Sequence, residues 1–128
     1  MTTLKISDLS VGDWVRHDFY EMDMRVVTIH GDNKRVIAES SSGYGVTCHL
    51  DHFTPIPITA EILEKNGIHR TYEDDNYAIF RGDGLWAVKY SDGDWELSIP
   101  PVCRVDIRYI HDLQHALRLA GIDKEINL

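Results

Sequence analysis

Positive charge is what this sequence most lacks. Its 13 Lys and Arg face 21 Asp and Glu, for a net charge of −8, and no basic cluster interrupts that balance. Residues 1–56, 57–100 and 101–128 contribute −3, −5 and 0. A phosphate backbone is repelled by such a chain, and so is an anionic membrane surface. Cysteine is nearly absent. Cys48 and Cys103 stand far apart in no metal-ligand spacing, which fits reduced thiols in a cytoplasm better than a disulfide framework. No apolar run approaches the roughly 20 residues that span a bilayer. The start, Met1-Thr2-Thr3-Leu4-Lys5-Ile6, has no basic region followed by an apolar one, so a secretory signal is not expected. Internal repeats and phosphate-cradling glycine loops are missing too.

What is there reads as α+β. The 128 residues, 43% apolar, suit one domain or two very small ones. Thr54-Pro55-Ile56-Pro57 is the best boundary, because two prolines at alternate positions force extended backbone and halt a ladder. Before it, short β-branched runs around 11–16, 24–30, 35–39 and 44–50 alternate with turns such as Gly31-Asp32-Asn33-Lys34 and Ser40-Ser41-Ser42-Gly43. Four or five strands in such a length predict a small SH3-like β-barrel over residues 1–54.

Residues 55–128 read as an antiparallel meander with two helices, packed against the barrel. Thr59 predicts the N-cap of a helix over 60–66, closed by Gly67 with Ile68 reaching back to Leu63. A second helix is expected over 109–120, with Ile110, Leu113, Ala116, Leu117 and Ala120 on one side and Gly121-Ile122 at its end. Between them lie a strand near 77–81, a hairpin over 86–99, a break at Pro100-Pro101 and a strand near 105–109. Asp92-Gly93 predicts a two-residue type I′ turn. That turn pairs Tyr90 with Trp95, Val88 with Leu97 and Trp86 with Ile99, all on one face.

Few residues suggest chemistry. His111 and His115 sit at i and i+4, a spacing that can hold zinc as in His-Glu-x-x-His hydrolases. Asp112 is shorter than the glutamate base of that motif, and the helical wheel turns both histidines toward solvent. Cys48, His49 and His52 form a second soft-ligand group, but alternation points Cys48 inward and His49 away. Cys103 has no assignable activating partner. Glu73-Asp74-Asp75-Asn76 reads as a solvated loop. Trp86, Trp95, Tyr90, Tyr77 and Phe80 offer either a base-stacking platform or, at strand period, a core. Trp14 and Tyr20 could line a peptide groove as aromatics do in SH3 domains. No cofactor or metal is expected.

Val11-Gly12-Asp13-Trp14-Val15, Pro55-Ile56-Pro57-Ile58-Thr59 with Glu61-Ile62-Leu63 and Asn66-Gly67, Trp95-Glu96-Leu97-Ser98-Ile99 and Tyr109-Ile110-His111-Asp112-Leu113-Gln114 resemble a group of small proteins of gut-type anaerobic bacteria and their phages or prophages. The resemblance covers about 55–128. The group has no established activity, so it implies no functional residues. Its usual form of 109–115 ends in Asn where this chain has His115, which weakens a paired-histidine site. The phage association leaves room for an accessory or anti-defence role. The reading that best fits the sequence is a non-enzymatic, cytoplasmic module whose partner is another protein. The alternatives are a nucleic-acid accessory or acidic DNA mimic, and a metal-dependent hydrolase using His111 and His115.

Overall fold

The computed structural model describes residues 4–99 and 103–128, with Cys103 by its backbone alone. Pro100-Pro101 and the Cys103 thiol therefore lie outside the described residues. The chain divides into two compact units, the first ending at Ile56 and the second running from Pro57 to Leu128. Among the described residues it is α+β: two antiparallel sheets of five strands each and two α-helices.

The first unit holds β1 (Trp14–His17), β2 (Met22–His30), β3 (Arg35–Glu39), β4 (Gly45–His49) and β5 (Phe53–Pro55), in the order β4-β3-β2-β1-β5. A 3-10 turn over Leu50–His52 joins β4 to β5. Alternation aims Val15, Met24, Val26, Val36 and Ala38 at one core, and Leu50 and Phe53 complete it. A side chain as buried as Val15 contributes roughly 1.5–3 kcal/mol relative to exposure. The edge strands β4 and β5 make no ladder with each other among the described residues, so the closed barrel expected from the sequence is not what forms. The proline pair does not stop the sheet at 54 either. Pro55 pairs with Val15 because β5 is an edge strand, where a missing N–H is tolerated.

The second unit starts with α1 (Ala60–Lys65), followed by β6 (His69–Glu73), β7 (Tyr77–Gly82), β8 (Leu85–Tyr90), β9 (Trp95–Ile99), β10 (Cys103–Ile107) and α2 (Ile110–Leu119). The sheet order is β10-β9-β8-β7-β6. Thr59 Oγ1 accepts the Ile62 N–H at 3.2 Å, as the N-cap reading requires. Both helices end as their Gly-Ile pairs predict. The Ile68 N–H donates to the Leu63 carbonyl and the Ile122 N–H to the Leu117 carbonyl, each at 2.9 Å, with Gly67 and Gly121 at positive φ. Strand β6 has no apolar alternation, and all five of its residues are exposed, so the sequence carried no sign of it. It forms by pairing with β7.

The hairpin register differs from the expected one by one residue. Trp86 faces Ser98, Ala87 faces Leu97, and Lys89 faces Trp95. The Tyr90 N–H donates to the Asp94 carbonyl, leaving a three-residue loop, Ser91-Asp92-Gly93, with φ +94 at Gly93. The type I′ turn sits instead at Asp83-Gly84, where both φ values are positive (50 and 80) and Gly82 faces Leu85. That earlier turn decides the matter. It puts Leu85 and Ala87 on the inner face with Phe80, so Ala87 needs Leu97 opposite, and only an odd-numbered loop delivers that parity.

Candidate functional site

The helix α2 holds the histidine pair, but not as a solvated face. His111 is only 4% exposed, Gln114 is buried, and Ala120, expected on the apolar side, is exposed. The His111 ring stacks parallel on Tyr109 at 5.8 Å and meets His115 edge-on at 5.7 Å. The Asp112 carboxylate accepts the Arg108 and Tyr109 N–H groups, both at 3.0 Å. It is the N3 member of a capping box at the start of α2, whose N-cap is Tyr109. Among the described residues, no three His, Cys, Asp or Glu side chains are placed to hold a metal ion.

In the first unit, Trp14 and Tyr20 are not brought together on one groove. Trp14 is buried under the Arg25 guanidinium, 4.8 Å from its ring, on the face of β1 opposite Val15 and His17. Tyr20 lies in the turn after β1 and packs on His17 at 4.7 Å. The buried His17 has a partner that sequence spacing could not reveal: its Nε2 lies 3.3 Å from Cys48 Sγ. His17 Nδ1 accepts the Tyr20 backbone N–H at 3.2 Å, so the ring proton belongs on Nε2, which donates to the sulfur. Burial first, and then His52, hold the imidazole below its ordinary pKa, with Asp18 opposing. These facts set what the pair can do. A nitrogen that already carries a proton cannot take one from a thiol. A metal at Nε2 would require a proton on Nδ1, facing the Tyr20 N–H. His52 stacks parallel to His17 at 6.0 Å rather than converging on it. The pair is a part-buried hydrogen bond packed against the core. The expectation that Cys48 points inward and His49 outward holds.

The second sheet divides the aromatic residues between its faces. Phe80 and Trp95 are buried on the inner face with Leu85, Ala87 and Leu97. The outer face carries Tyr72, Tyr77, Ile79, Trp86, Val88 and Tyr90 as cross-strand neighbours: Tyr77 faces Tyr90, Ile79 faces Val88 and Tyr72. Tyr72, Trp86 and Tyr90 are 47%, 40% and 38% exposed. Arg81, which faces Trp86, lays its guanidinium 3.8 Å over that ring. Across Ser98 and Glu96 the same face continues to Arg104 and Asp106. The alternation Trp86-x-Val88-x-Tyr90 was visible in sequence, but the parity of the hairpin decides that it faces outward.

The acidic run before β7 is a turn. Asp74 Oδ1 accepts the Asn76 and Tyr77 N–H groups at 2.8 and 3.0 Å, and the Tyr72 hydroxyl donates to Oδ2 at 2.9 Å. Those bonds, the Asn76 one foremost, hold its carboxyl below the usual range. A shallow cleft of about 140 Å³ at the far end of the hairpin, lined by Tyr90, Asp94, Trp95, Asp106, Ile107 and Arg108, is small beside ordinary ligand sites. No protein-family model, no curated protein and no solved structure matches this chain.

Proposed function

We propose that this protein is a non-enzymatic interaction module that docks a protein partner on the outer face of its second sheet. The observation that carries this reading is the stripe of Tyr72, Trp86 and Tyr90, with Arg81 stacked on Trp86. An antiparallel sheet with one solvated face ordinarily alternates apolar in, polar out. Here the second face also carries large apolar groups, of the types that dominate protein interfaces: Trp, Tyr and Arg. A nucleic-acid partner is less well supported. The stripe has rings for stacking, but Arg81 and Arg104 share the face with Glu96 and Asp106, and residues 57–128 are net −5. A hydrolase is less well supported because Asp112 is engaged as a helix cap.

Two coarser inferences accompany this one. We infer that the first unit is SH3-like in fold over residues 1–54, a reading supported by its strand order and by the 3-10 turn before β5. We also place the protein in the cytoplasm, supported by the free thiol of Cys48 beside His17; no helix of the described residues is long and apolar enough to cross a membrane.

The test is quantitative capture from a host lysate with the wild-type chain and with Trp86→Ala, followed by reconstitution with the purified partner. Loss of a truncated hot-spot residue weakens binding about thirtyfold or more. A partner that binds Trp86→Ala and Tyr90→Ala as tightly as wild type removes the sheet face from consideration.

A further inference from the structure

A second aromatic group lies on the first unit and does not depend on the sheet-face reading. The turn after β1 presents Phe19 and Tyr20, and the turn before β4 ends in Tyr44. These residues are 79%, 43% and 48% exposed. Their rings are one contiguous set. Phe19 meets Tyr20 at 5.2 Å and 82°, and Tyr20 meets Tyr44 at 5.8 Å and 80°. The Tyr20 ring also rests on the buried His17, so the arrangement is held from behind. Two nearly perpendicular ring pairs sharing Tyr20 make open aromatic corners.

Carboxylates predominate around these rings, although Arg16 lies 3.7 Å from Asp23 and Arg25 faces Glu39 across the ladder. Residues 17–24 hold Asp18, Glu21 and Asp23 and no Lys or Arg; residues 36–53 hold Glu39 and Asp51 and no Lys or Arg. Asp18 is fixed by the Thr54 hydroxyl at 2.8 Å, and Glu39 Oε1 reaches within 3.8 Å of the position a Cβ would take on Gly43, next to Tyr44. Ring faces carry negative potential, so rings and carboxylates together attract a cation and repel an anion.

We propose that Phe19, Tyr20 and Tyr44 are the docking site for a cationic side chain, Lys or Arg, carried by a basic segment of a partner protein. The edge-to-face rings receive the aliphatic stem and the charged head together, and the flanking carboxylates supply long-range attraction. A phosphate-rich or acidic partner is disfavoured by Asp18 and Glu21, which flank Phe19 and Tyr20 in the chain.

The experiment is an NMR titration of the full chain with a short Lys/Arg peptide, with its Gln-substituted counterpart, and with tetramethylammonium chloride. The basic peptide is expected to shift Phe19, Tyr20 and Tyr44 saturably, with the Gln peptide at least about tenfold weaker. Phe19→Ala and Tyr44→Ala are each expected to weaken the basic peptide about fivefold, and the exposure of Phe19 keeps its variant folded. Equal binding of the two peptides, or an unchanged affinity in both variants, overturns the site. Tetramethylammonium binding as tightly as the peptide overturns the assignment to a partner's side chain and leaves a small-cation site.

Discussion

His17 on β1 and Cys48 on β4 touch at 3.3 Å although two strands, β2 and β3, separate them in the sheet. At about 4.8 Å per strand, a flat sheet would hold those backbones about 14 Å apart. Two short side chains cannot span that gap. The first sheet is therefore strongly rolled, even without a ladder between its edges, and the roll encloses the core around Val15, Met24 and Val36.

The burial of His17 makes a pH-dependent contribution with a definite sign. Burial lowers the pKa of His17 from 6.5, so the unfolded chain takes up the proton first as pH falls. The stability His17 contributes is complete above its unfolded value and is lost as pH drops from there through the depressed folded value. Urea midpoints of the wild type are expected to fall more between about pH 7.5 and about pH 5 than those of His17→Gln. Parallel pH profiles would remove the buried imidazole as the cause. The ring nitrogen spectrum should show the proton on Nε2.

Two Ser-x-Gly turns, Ser41-Ser42-Gly43 and Ser91-Asp92-Gly93, have the same geometry. The Ser40 N–H donates to the Tyr44 carbonyl and the Gly43 N–H to the Ser40 carbonyl, at 2.8 and 3.0 Å. Tyr90, Gly93 and Asp94 repeat that pattern. Gly43 and Gly93 both have positive φ, and a Cβ on either meets no atom closer than 3.8 Å. Gly43→Val and Gly93→Val should therefore cost similar amounts, about 1–2 kcal/mol each, from backbone strain alone. A difference above about 2 kcal/mol in urea unfolding would show that the two loops are not equivalent.

Gly82→Ala should be far worse than either. A Cβ there would lie 2.1 Å from the Gly67 carbonyl oxygen and 2.9 Å from Ile68 Cα, and both obstacles are backbone. The strand end of β7 would have to move away from the turn that closes α1. We expect a loss of about 3 kcal/mol or more, in line with overpacking that cannot relax. Thermal unfolding of Gly82→Ala at a wild-type temperature would refute this close approach.

Asn66 ties the C-terminal segment to the end of α1. Its Nδ2 donates to the Ile62 and Asn127 carbonyls at 2.7 and 2.8 Å, and its Oδ1 accepts the Asn127 N–H at 2.7 Å. Neighbouring Ile126 is buried. Asn66→Ala removes three hydrogen bonds in a part-buried site, a loss of about 2–4 kcal/mol. Amide exchange should then accelerate at Ile126 and Asn127 while β8 and β9 stay protected. Unchanged exchange at Asn127 would mean that the tail is held by something else.

The sequence by itself determined the local features of this protein. Helix ends at Thr59, Gly67 and Gly121, the alternation of β2 to β4 and of β7 to β9, and the inward turn of Cys48 all follow from rules that act over a few residues. Tertiary structure decided whatever depended on parity or on distant pairing. Strand β5 exists because β1 offers Pro55 and Phe53 an edge to pair with, and β6 exists because β7 does the same for a wholly polar run. His17 meets Cys48 only because the first sheet rolls. Trp86 and Tyr90 face outward because the register across the Asp83-Gly84 turn and that across the three-residue loop after Tyr90 agree on the parity of β8. A single-residue change in loop length moves every side chain of a strand to the other face, so no pattern within the strand can reveal which face is buried.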